Sequence, residues 1–366
     1  MSALHDTEQD AVDYPMPPGE IVGPSAWTGR DMAARQDEWI HPFSEAELDE
    51  LNAAMRGVKA RGLDIVDIDR EAFPLPNLGP ALDGIRREVL HGRGFALLRG
   101  IPVEHYSIEE SAIIYYGLGN HLGVAIAQNM KGHVLGHVKD VGRDAYDTKS
   151  RLYQTRARQM FHTDTCDMVG LLCLQPAKSG GKSAIVSADT LYNEIRRRRP
   201  DLLPLLFHPY STDWRGEEPE GEAQHYALPI LSWHAGLLNC RYVRRYIATA
   251  QRFEDVQTLD ERQIAALDIF DELSDDPDIH LKMEFRAGDI QLLHNQQILH
   301  DRTEFEDWDE PARKRHLLRL WLNCADGRPL PESYRPRYFT LEIGSPRRGG
   351  YRLPSGRVLN APLHVE

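Results

Sequence analysis

Two histidines and one aspartate are the residues of this chain whose types and spacing could do metal chemistry. His162 and Asp164 are separated by one residue, and His300 lies far downstream. On a strand, residues two apart project from the same face, so an imidazole and a carboxylate at this spacing can reach one ion. Two histidines and a carboxylate can hold one face of Fe(II) and leave the opposite face open for a co-substrate and oxygen. If the three residues converge, the sequence predicts an oxygen-activating iron site.

The third ligand has two candidates in the sequence. His294 and His300 both lie near the same predicted strand end. A long gap from Asp164 is expected for either residue when the ligands stand on different strands of a barrel. His300 is favoured because Arg302 follows it two residues later and an arginine-bearing strand comes soon after.

That arginine-bearing strand covers residues 314–323. One of its faces carries Arg315 and Arg319 among apolar residues. Two guanidinium groups are costly to bury unless anions pair with them. A dicarboxylate co-substrate would be a suitable partner, because guanidinium binds carboxylate through two parallel hydrogen bonds. Internal salt bridges are the alternative, and Ser183, after a Gly-Gly turn, could add a hydroxyl to the same carboxylate.

Composition narrows the classes of partner. Lys and Arg number 43 against 56 Asp and Glu, a net charge of −13, which disfavours a general binder of nucleic acid or anionic membranes. No apolar run approaches the roughly 20 residues that span a bilayer, and the polar start predicts a cytoplasmic protein. The four cysteines form no CxxC pair and are interpreted as reduced, buried thiols. We expect a small-molecule substrate, and the acidic surface and N-terminal arm would allow a homodimer.

The order of predicted elements is helical at first and then consists of short strands. Residues 1–43, with many Pro, Gly and polar residues, are predicted to form an N-terminal arm, and residues 44–366 a single domain. Helices are expected after an N-cap at Ser44, over 78–91 and over about 108–122, followed by a further helix over 253–276. Short strands separated by turns fill the second half, including a hairpin over 231–242. This order predicts a mainly β, α+β domain with a sandwich or jelly-roll core and flanking helices.

One acidic stretch, residues 208–226, contains several Gly and Pro residues. It is predicted to be a mobile loop that could act as a lid and keep water away from the reaction.

Taken together, these motifs resemble the taurine dioxygenase/TfdA-like family of Fe(II)- and 2-oxoglutarate-dependent oxygenases. The matching segments, within about residues 78–325, are His162-Thr163-Asp164, the turn Gly180-Gly181-Lys182-Ser183, the distal Leu299-His300-Asp301-Arg302-Thr303, the R-x-x-x-R strand from Arg315 to Arg319, and a first core strand over 94–102. The resemblance implies a double-stranded β-helix, or jelly roll. It also implies that Fe(II), 2-oxoglutarate and O2 are used.

The resemblance assigns roles to individual residues. By it, His162, Asp164 and His300 are the iron ligands and the catalytic centre. Arg315 would pair with the distal carboxylate of 2-oxoglutarate with help from Ser183, and Arg319 would reach either 2-oxoglutarate or an acidic group of the substrate. Arg313 is an alternative to Arg315. Because the Asp164 position is not vacated for a halide, a halogenase is disfavoured.

The expected reaction is hydroxylation of an unactivated C–H bond in a small polar, carboxylate-bearing metabolite, with release of succinate and CO2. Desaturation or cyclisation are alternative outcomes. Gln128, Asn129 and Arg158 are candidates for substrate contact. Two other classes remain open: a zinc or manganese hydrolase or isomerase on a cupin-like barrel, and a non-catalytic binding module on the same barrel.

Overall fold

A computed structural model describes residues 14–147 and 150–364 of the chain. These residues contain seventeen strands and eight α-helices. The helices are α1 (Gly29–Ala33), α2 (Glu45–Arg61), α3 (Leu78–His91), α4 (Ile108–Leu122), α5 (Ala188–Arg198), α6 (Arg244–Ala250), α7 (Glu261–Asp275) and α8 (Arg335–Tyr338). The strands are β1 (Ile40–Pro42), β2 (Phe95–Arg99), β3 (Val124–Ala125), β4 (Leu135–Val138), β5 (Gln159–His162), β6 (Met168–Gln175), β7 (Ser179–Gly180), β8 (Ser183–Ser187), β9 (Pro209–Asp213), β10 (His225–Pro229), β11 (Leu231–His234), β12 (Leu237–Cys240), β13 (Leu281–Met283), β14 (Ile290–His294), β15 (Ile298–Arg302), β16 (Phe305–Glu306) and β17 (His316–Asn323).

Two sheets form the core. The larger runs β1-β2-β14-β6-β17-β3, with β4 also paired to β17, and the smaller runs β13-β8-β15-β5. Side chains from both sheets share one apolar cluster, in which Val169 and Leu293 of the larger sheet pack with Ile185 and Ile298 of the smaller. Apolar faces on two sheets are buried most efficiently against each other. This confirms the predicted α+β fold with a jelly-roll core.

Helices cover the outer faces of this core. Buried residues of α2, α3 and α4 pack on the larger sheet, while α5 and α7 pack beside the smaller one. The predicted cap at Ser44 is present: its hydroxyl accepts from the Glu47 amide, and the Glu47 carboxylate accepts from the Ser44 amide at 2.7 Å. Within the described residues, no helix combines the length and apolar character that a bilayer crossing needs. All four cysteines are buried and unpaired with one another, as expected.

Two expectations about the second half need correction. The stretch predicted as a mobile loop, 208–226, contains β9 and the first two residues of β10, which pair as a hairpin, while residues 214–224 between them are irregular. The helix expected over 253–276 begins only at Glu261, because Asp260 caps it through the Gln263 amide at 2.7 Å. The short α6 precedes it and was not anticipated.

At the other end of the chain, β1 pairs in parallel with β2, so the arm adds a strand to the larger sheet. The division at residue 43 stays a prediction.

Candidate metal centre and active-site cavity

The structure brings His162, Asp164 and His300 together at one end of the smaller sheet. His162 ends β5 and lies opposite His300 of β15 in the antiparallel register, while Asp164 follows just after β5. One potential ligand atom from each residue lies within 4.8 Å of those of the other two. The two imidazole centroids are 4.1 Å apart. His294 lies outside this cluster, and its Nδ1 is instead 3.2 Å from Gln297 Oε1.

The Asp164 carboxylate is held by groups that favour its charged form. Trp321 Nε1 donates to Asp164 Oδ2 at 2.8 Å, and Arg319 Nη1 lies 3.6 Å from the same oxygen. Burial acts to raise the pKa of Asp164, but the positive charge of Arg319 and the hydrogen bond from Trp321 oppose burial, and the pKa is lowered. The carboxylate is therefore ionised, as a metal ligand must be.

The two histidines are neutral in this environment. Burial, reinforced by the neighbouring His162, lowers the pKa of His300 to about 3, and burial also lowers the pKa of His162. His162 Nδ1 lies 2.9 Å from the Met160 carbonyl oxygen, which makes Nδ1 the protonated nitrogen and leaves Nε2 with a lone pair. The Gln159 amide nitrogen lies 2.8 Å from that Nε2. Two neutral imidazoles and one carboxylate form a donor set that fits Fe(II).

The residue between His162 and Asp164 is anchored from another part of the chain. The Thr163 amide donates to the Tyr242 carbonyl at 2.9 Å, and the Tyr242 amide donates back to the Thr163 hydroxyl at 3.0 Å. Arg241 Nη1 donates to the Thr163 carbonyl at 2.7 Å. Arg241 and Tyr242 follow directly after β12, and sequence reasoning missed both because no motif marks them.

Two buried arginines lie side by side, and one of them follows His300 by two residues. Arg315 precedes β17, and Arg302 ends β15; their guanidinium carbons are 5.2 and 4.9 Å from the Phe305 ring centre. Among the described residues, Arg315 Nη1 and both Nε and Nη1 of Arg302 have no hydrogen-bond partner. Burial lowers the pKa of Arg315 to about 10, and burial together with Arg315 lowers that of Arg302 to about 9. Such a pair requires an anion, and a carboxylate of 2-oxoglutarate fits this requirement.

Ser183 lies beside the same arginines. It begins β8 and pairs with Arg302 across the sheet. The Ser183 hydroxyl is buried and accepts from Gln291 Nε2 at 3.3 Å. Arg302 itself was not given a cofactor role from the sequence, although its position two residues after His300 places it on the same strand face.

The other two arginines of this region have different surroundings. Arg313 is exposed, its guanidinium lies 3.4 Å from the centre of the Trp308 ring, and its Nη1 lies 3.7 Å from Glu310. Arg319 is buried on β17 and donates from Nε to Gln128 Oε1 at 2.7 Å. Arg319 thus belongs to the metal centre, whereas Arg313 lies on the surface.

The three substrate candidates differ in their placement. Gln128 lines the cavity, but its amide nitrogen donates to the Arg319 carbonyl at 2.8 Å, so it positions Arg319. Arg158 also lines the cavity, where its Nε donates to Asp301 Oδ2 at 2.9 Å. Asn129 lies in a neighbouring depression and accepts from the Lys131 amide at 2.9 Å. Two of the three therefore reach the cavity, and both already have protein partners.

The cavity beside the metal centre has a volume of about 330 Å³. His162 and Asp164 form part of its wall, which also carries several arginines. Aromatic rings supply much of the remaining lining: Tyr153, Trp214, Tyr226, Tyr246, Trp321 and Tyr351. A pocket of this size with apolar walls and a few charged groups is typical of a site for a small molecule.

Comparison with known proteins agrees with this geometry. Residues 60–321 match the family described as taurine catabolism dioxygenase TauD, TfdA family. FR-33289 synthase of Streptomyces rubellomurinus (strain ATCC 31215) is 34% identical over 316 residues, covering 86% of this chain and 93% of that protein.

Solved structures with the same fold hold the expected ligands. Asparagine oxygenase in complex with Fe(II), 2S,3S-3-hydroxyasparagine and succinate superposes with a TM-score of 0.61 at 16% identity, over 78% of this chain and 93% of that one. The non-heme iron oxygenase OrfP in complex with Fe and alpha-ketoglutaric acid superposes with a TM-score of 0.60 at 14% identity, over 77% of this chain and 93% of that one. The family match decides against the hydrolase or isomerase and the binding module. This chain belongs to the TauD/TfdA family and is an Fe(II)- and 2-oxoglutarate-dependent oxygenase.

Proposed function

We propose that the enzyme hydroxylates an unactivated C–H bond of a small, negatively charged metabolite while 2-oxoglutarate is converted to succinate and CO2. The observation that carries this proposal is the convergence of His162, Asp164 and His300, two of which form part of the wall of a cavity that also carries arginines. In this proposal the three residues are the iron ligands. Bound Fe(II), 2-oxoglutarate and O2 together supply the oxidising power that replaces hydrogen by hydroxyl on the substrate carbon.

The residues around the triad prepare it for this role. Trp321 and Arg319 hold the Asp164 carboxylate ionised and fix its orientation. The Met160 carbonyl selects the His162 tautomer whose Nε2 lone pair is free to bind a metal, and the Gln159 amide would have to turn away from that nitrogen.

Arg315 is proposed to bind the distal carboxylate of 2-oxoglutarate, with Ser183 and Arg302 beside it. The support is that Arg315 Nη1 and two nitrogens of Arg302, all buried, have no hydrogen-bond partner among the described residues. Arg319 remains the candidate for an acidic group of either 2-oxoglutarate or the substrate, because it lines the cavity next to Asp164.

The substrate is proposed to be a small polar acid. The asparagine oxygenase structure contains a hydroxylated amino acid together with succinate. The cavity volume of about 330 Å³ sets a limit on size, and its arginines favour negative charge. We also propose that the enzyme can form a homodimer, which its acidic surface would allow.

The test is anaerobic addition of Fe(II) and then 2-oxoglutarate to the purified protein, with observation of the visible metal-to-ligand charge-transfer band. We expect the band in the wild type, its loss in Asp164→Ala, and a requirement for far more 2-oxoglutarate in Arg315→Ala. Arg313→Ala is the matched control, since it removes an exposed arginine two residues away and should change nothing. Iron that binds without producing a band in the wild type would contradict the proposed site.

A further inference from the structure

The cavity holds more positive charge than its acids balance. Arg151 lies against Glu217, and Arg319 lies beside Asp164. Arg241 and Arg337 line the same cavity, and across the described parts of the chain neither forms a salt bridge. Two nearly buried guanidinium groups that form no salt bridge within the described residues would stabilise a ligand with two negative charges there.

Arg241 is fixed in place with part of its guanidinium unused. It is 9% exposed, and its Nη1 donates to the Thr163 carbonyl at 2.7 Å and the Thr163 hydroxyl at 3.1 Å. Arg241 Nε is buried and has no hydrogen-bond partner among the residues that the structure describes. Because Thr163 lies between His162 and Asp164, an anion bound by Arg241 would lie close to the metal centre.

Arg337 is held between two aromatic rings. Its guanidinium carbon lies 5.0 Å from the Trp214 ring centre and 5.1 Å from that of Tyr351, and its Nη1 donates to the Gly350 carbonyl at 2.7 Å. Tyr351 stacks on Trp321 at 6.2 Å, and Trp321 in turn donates to Asp164. These rings orient the guanidinium and connect its position to the triad.

The pKa of the Tyr246 phenol, in the same cavity, is affected by the excess of positive charge. Tyr246 lines the cavity and accepts from Arg151 Nη1 at 2.6 Å. Burial acts to raise the pKa of Tyr246, yet Arg151, Arg215 and Arg241 outweigh burial and the pKa is lowered. Negative charge is thus stabilised on this wall.

We propose that Arg241 and Arg337 form a subsite for a dianionic tetrahedral group of the substrate, either a phosphonate or a phosphate monoester. This inference rests on the proposed function, because it narrows the substrate class of that site. Guanidinium groups bind phosphoryl oxygens through paired hydrogen bonds, and two arginines match the two charges of such a group better than the single charge of a carboxylate. The attacked carbon then lies a short distance from this group, towards His162 and Asp164.

The test is anaerobic calorimetric titration of the Fe(II)- and 2-oxoglutarate-loaded enzyme with four small probes. At a pH above their second pKa values, methylphosphonate and methyl phosphate are dianions that separate the two sources of the group, whereas dimethyl phosphate and acetate are monoanions. We expect at least one dianion to bind about tenfold more tightly than either monoanion, and Arg241→Gln and Arg337→Gln each to remove about tenfold of that affinity. Arg347→Gln, at an exposed arginine, is the control.

The visible band of the 2-oxoglutarate complex separates the outcomes. Variants that keep the band and lose dianion binding support the subsite. A wild type with the band whose dianions bind no better than its monoanions overturns the subsite and leaves the proposed function standing. If the band is absent from the wild type, the proposed function fails, and the same titrations on the metal-free protein still decide whether the subsite exists. Arg241→Gln also removes the hydrogen bonds to Thr163, which lies between two proposed metal ligands. Arg337→Gln leaves those bonds in place, so loss of dianion binding in that variant is not explained by a disturbed metal centre.

Discussion

Replacing Trp321 by Phe should weaken iron binding without touching any of the three proposed ligands. The indole nitrogen donates to Asp164 Oδ2 at 2.8 Å, and Trp321 is 4% exposed. A hydrogen bond to a charged group contributes about 1.5–3 kcal/mol. If that stabilisation is lost for the carboxylate in its metal-binding orientation, Fe(II) affinity should fall by about 10- to 100-fold. Phe keeps an aromatic ring beside Arg319, so the effect is confined mainly to the donor.

The assay is an anaerobic Fe(II) titration at saturating 2-oxoglutarate, followed by the visible band, with thermal unfolding measured in parallel. Trp39→Phe is the matched control: Trp39 is also buried in the core cluster that contains Trp321, and its indole donates to the Met32 carbonyl at 2.9 Å, away from the metal centre. Both variants should lose similar stability, but only Trp321→Phe should lose iron affinity. An Fe(II) affinity within twofold of the wild type would refute the argument that Trp321 orients Asp164.

Two further predictions concern stability, each measured by denaturant unfolding. Asp167 and Arg348 form an ion pair at 3.3 Å with both side chains fully buried, so Asp167→Asn should lower the free energy of unfolding by about 3–5 kcal/mol; a loss under about 1 kcal/mol would contradict this. Gly288 has a φ of +82°, and a Cβ there would lie 1.8 Å from the Ile101 carbonyl oxygen, so Gly288→Ala should cost at least about 2 kcal/mol. Gly62→Ala, with positive φ but open space, should cost only about 1 kcal/mol, and equal losses would argue against the steric explanation.

Local patterns in the sequence were sufficient for much of the fold. The Ser44 capping box, the hairpin around residue 235 and the arginine-bearing strand all depend on neighbouring residues, and each is present. The predicted limits of secondary-structure elements were wrong where long-range contacts decide them. The β9–β10 hairpin overlaps both ends of a stretch whose composition suggests a loop, because Tyr210 and Leu228 of its two strands are buried against other parts of the chain.

The sequence by itself was sufficient to propose His162 and Asp164 as iron ligands, because the ligand types and the spacing of these two residues restrict what a strand can present. Only the tertiary structure decided which distant groups complete the site. The antiparallel register of β5 and β15 sets His300 opposite His162 and leaves His294 aside. The same folding brings Arg241 and Arg337 to one cavity and Arg302 next to Arg315. No local motif marks Arg241 or Arg337, since their proposed role depends on burial without a salt bridge, and burial is a property of the folded chain.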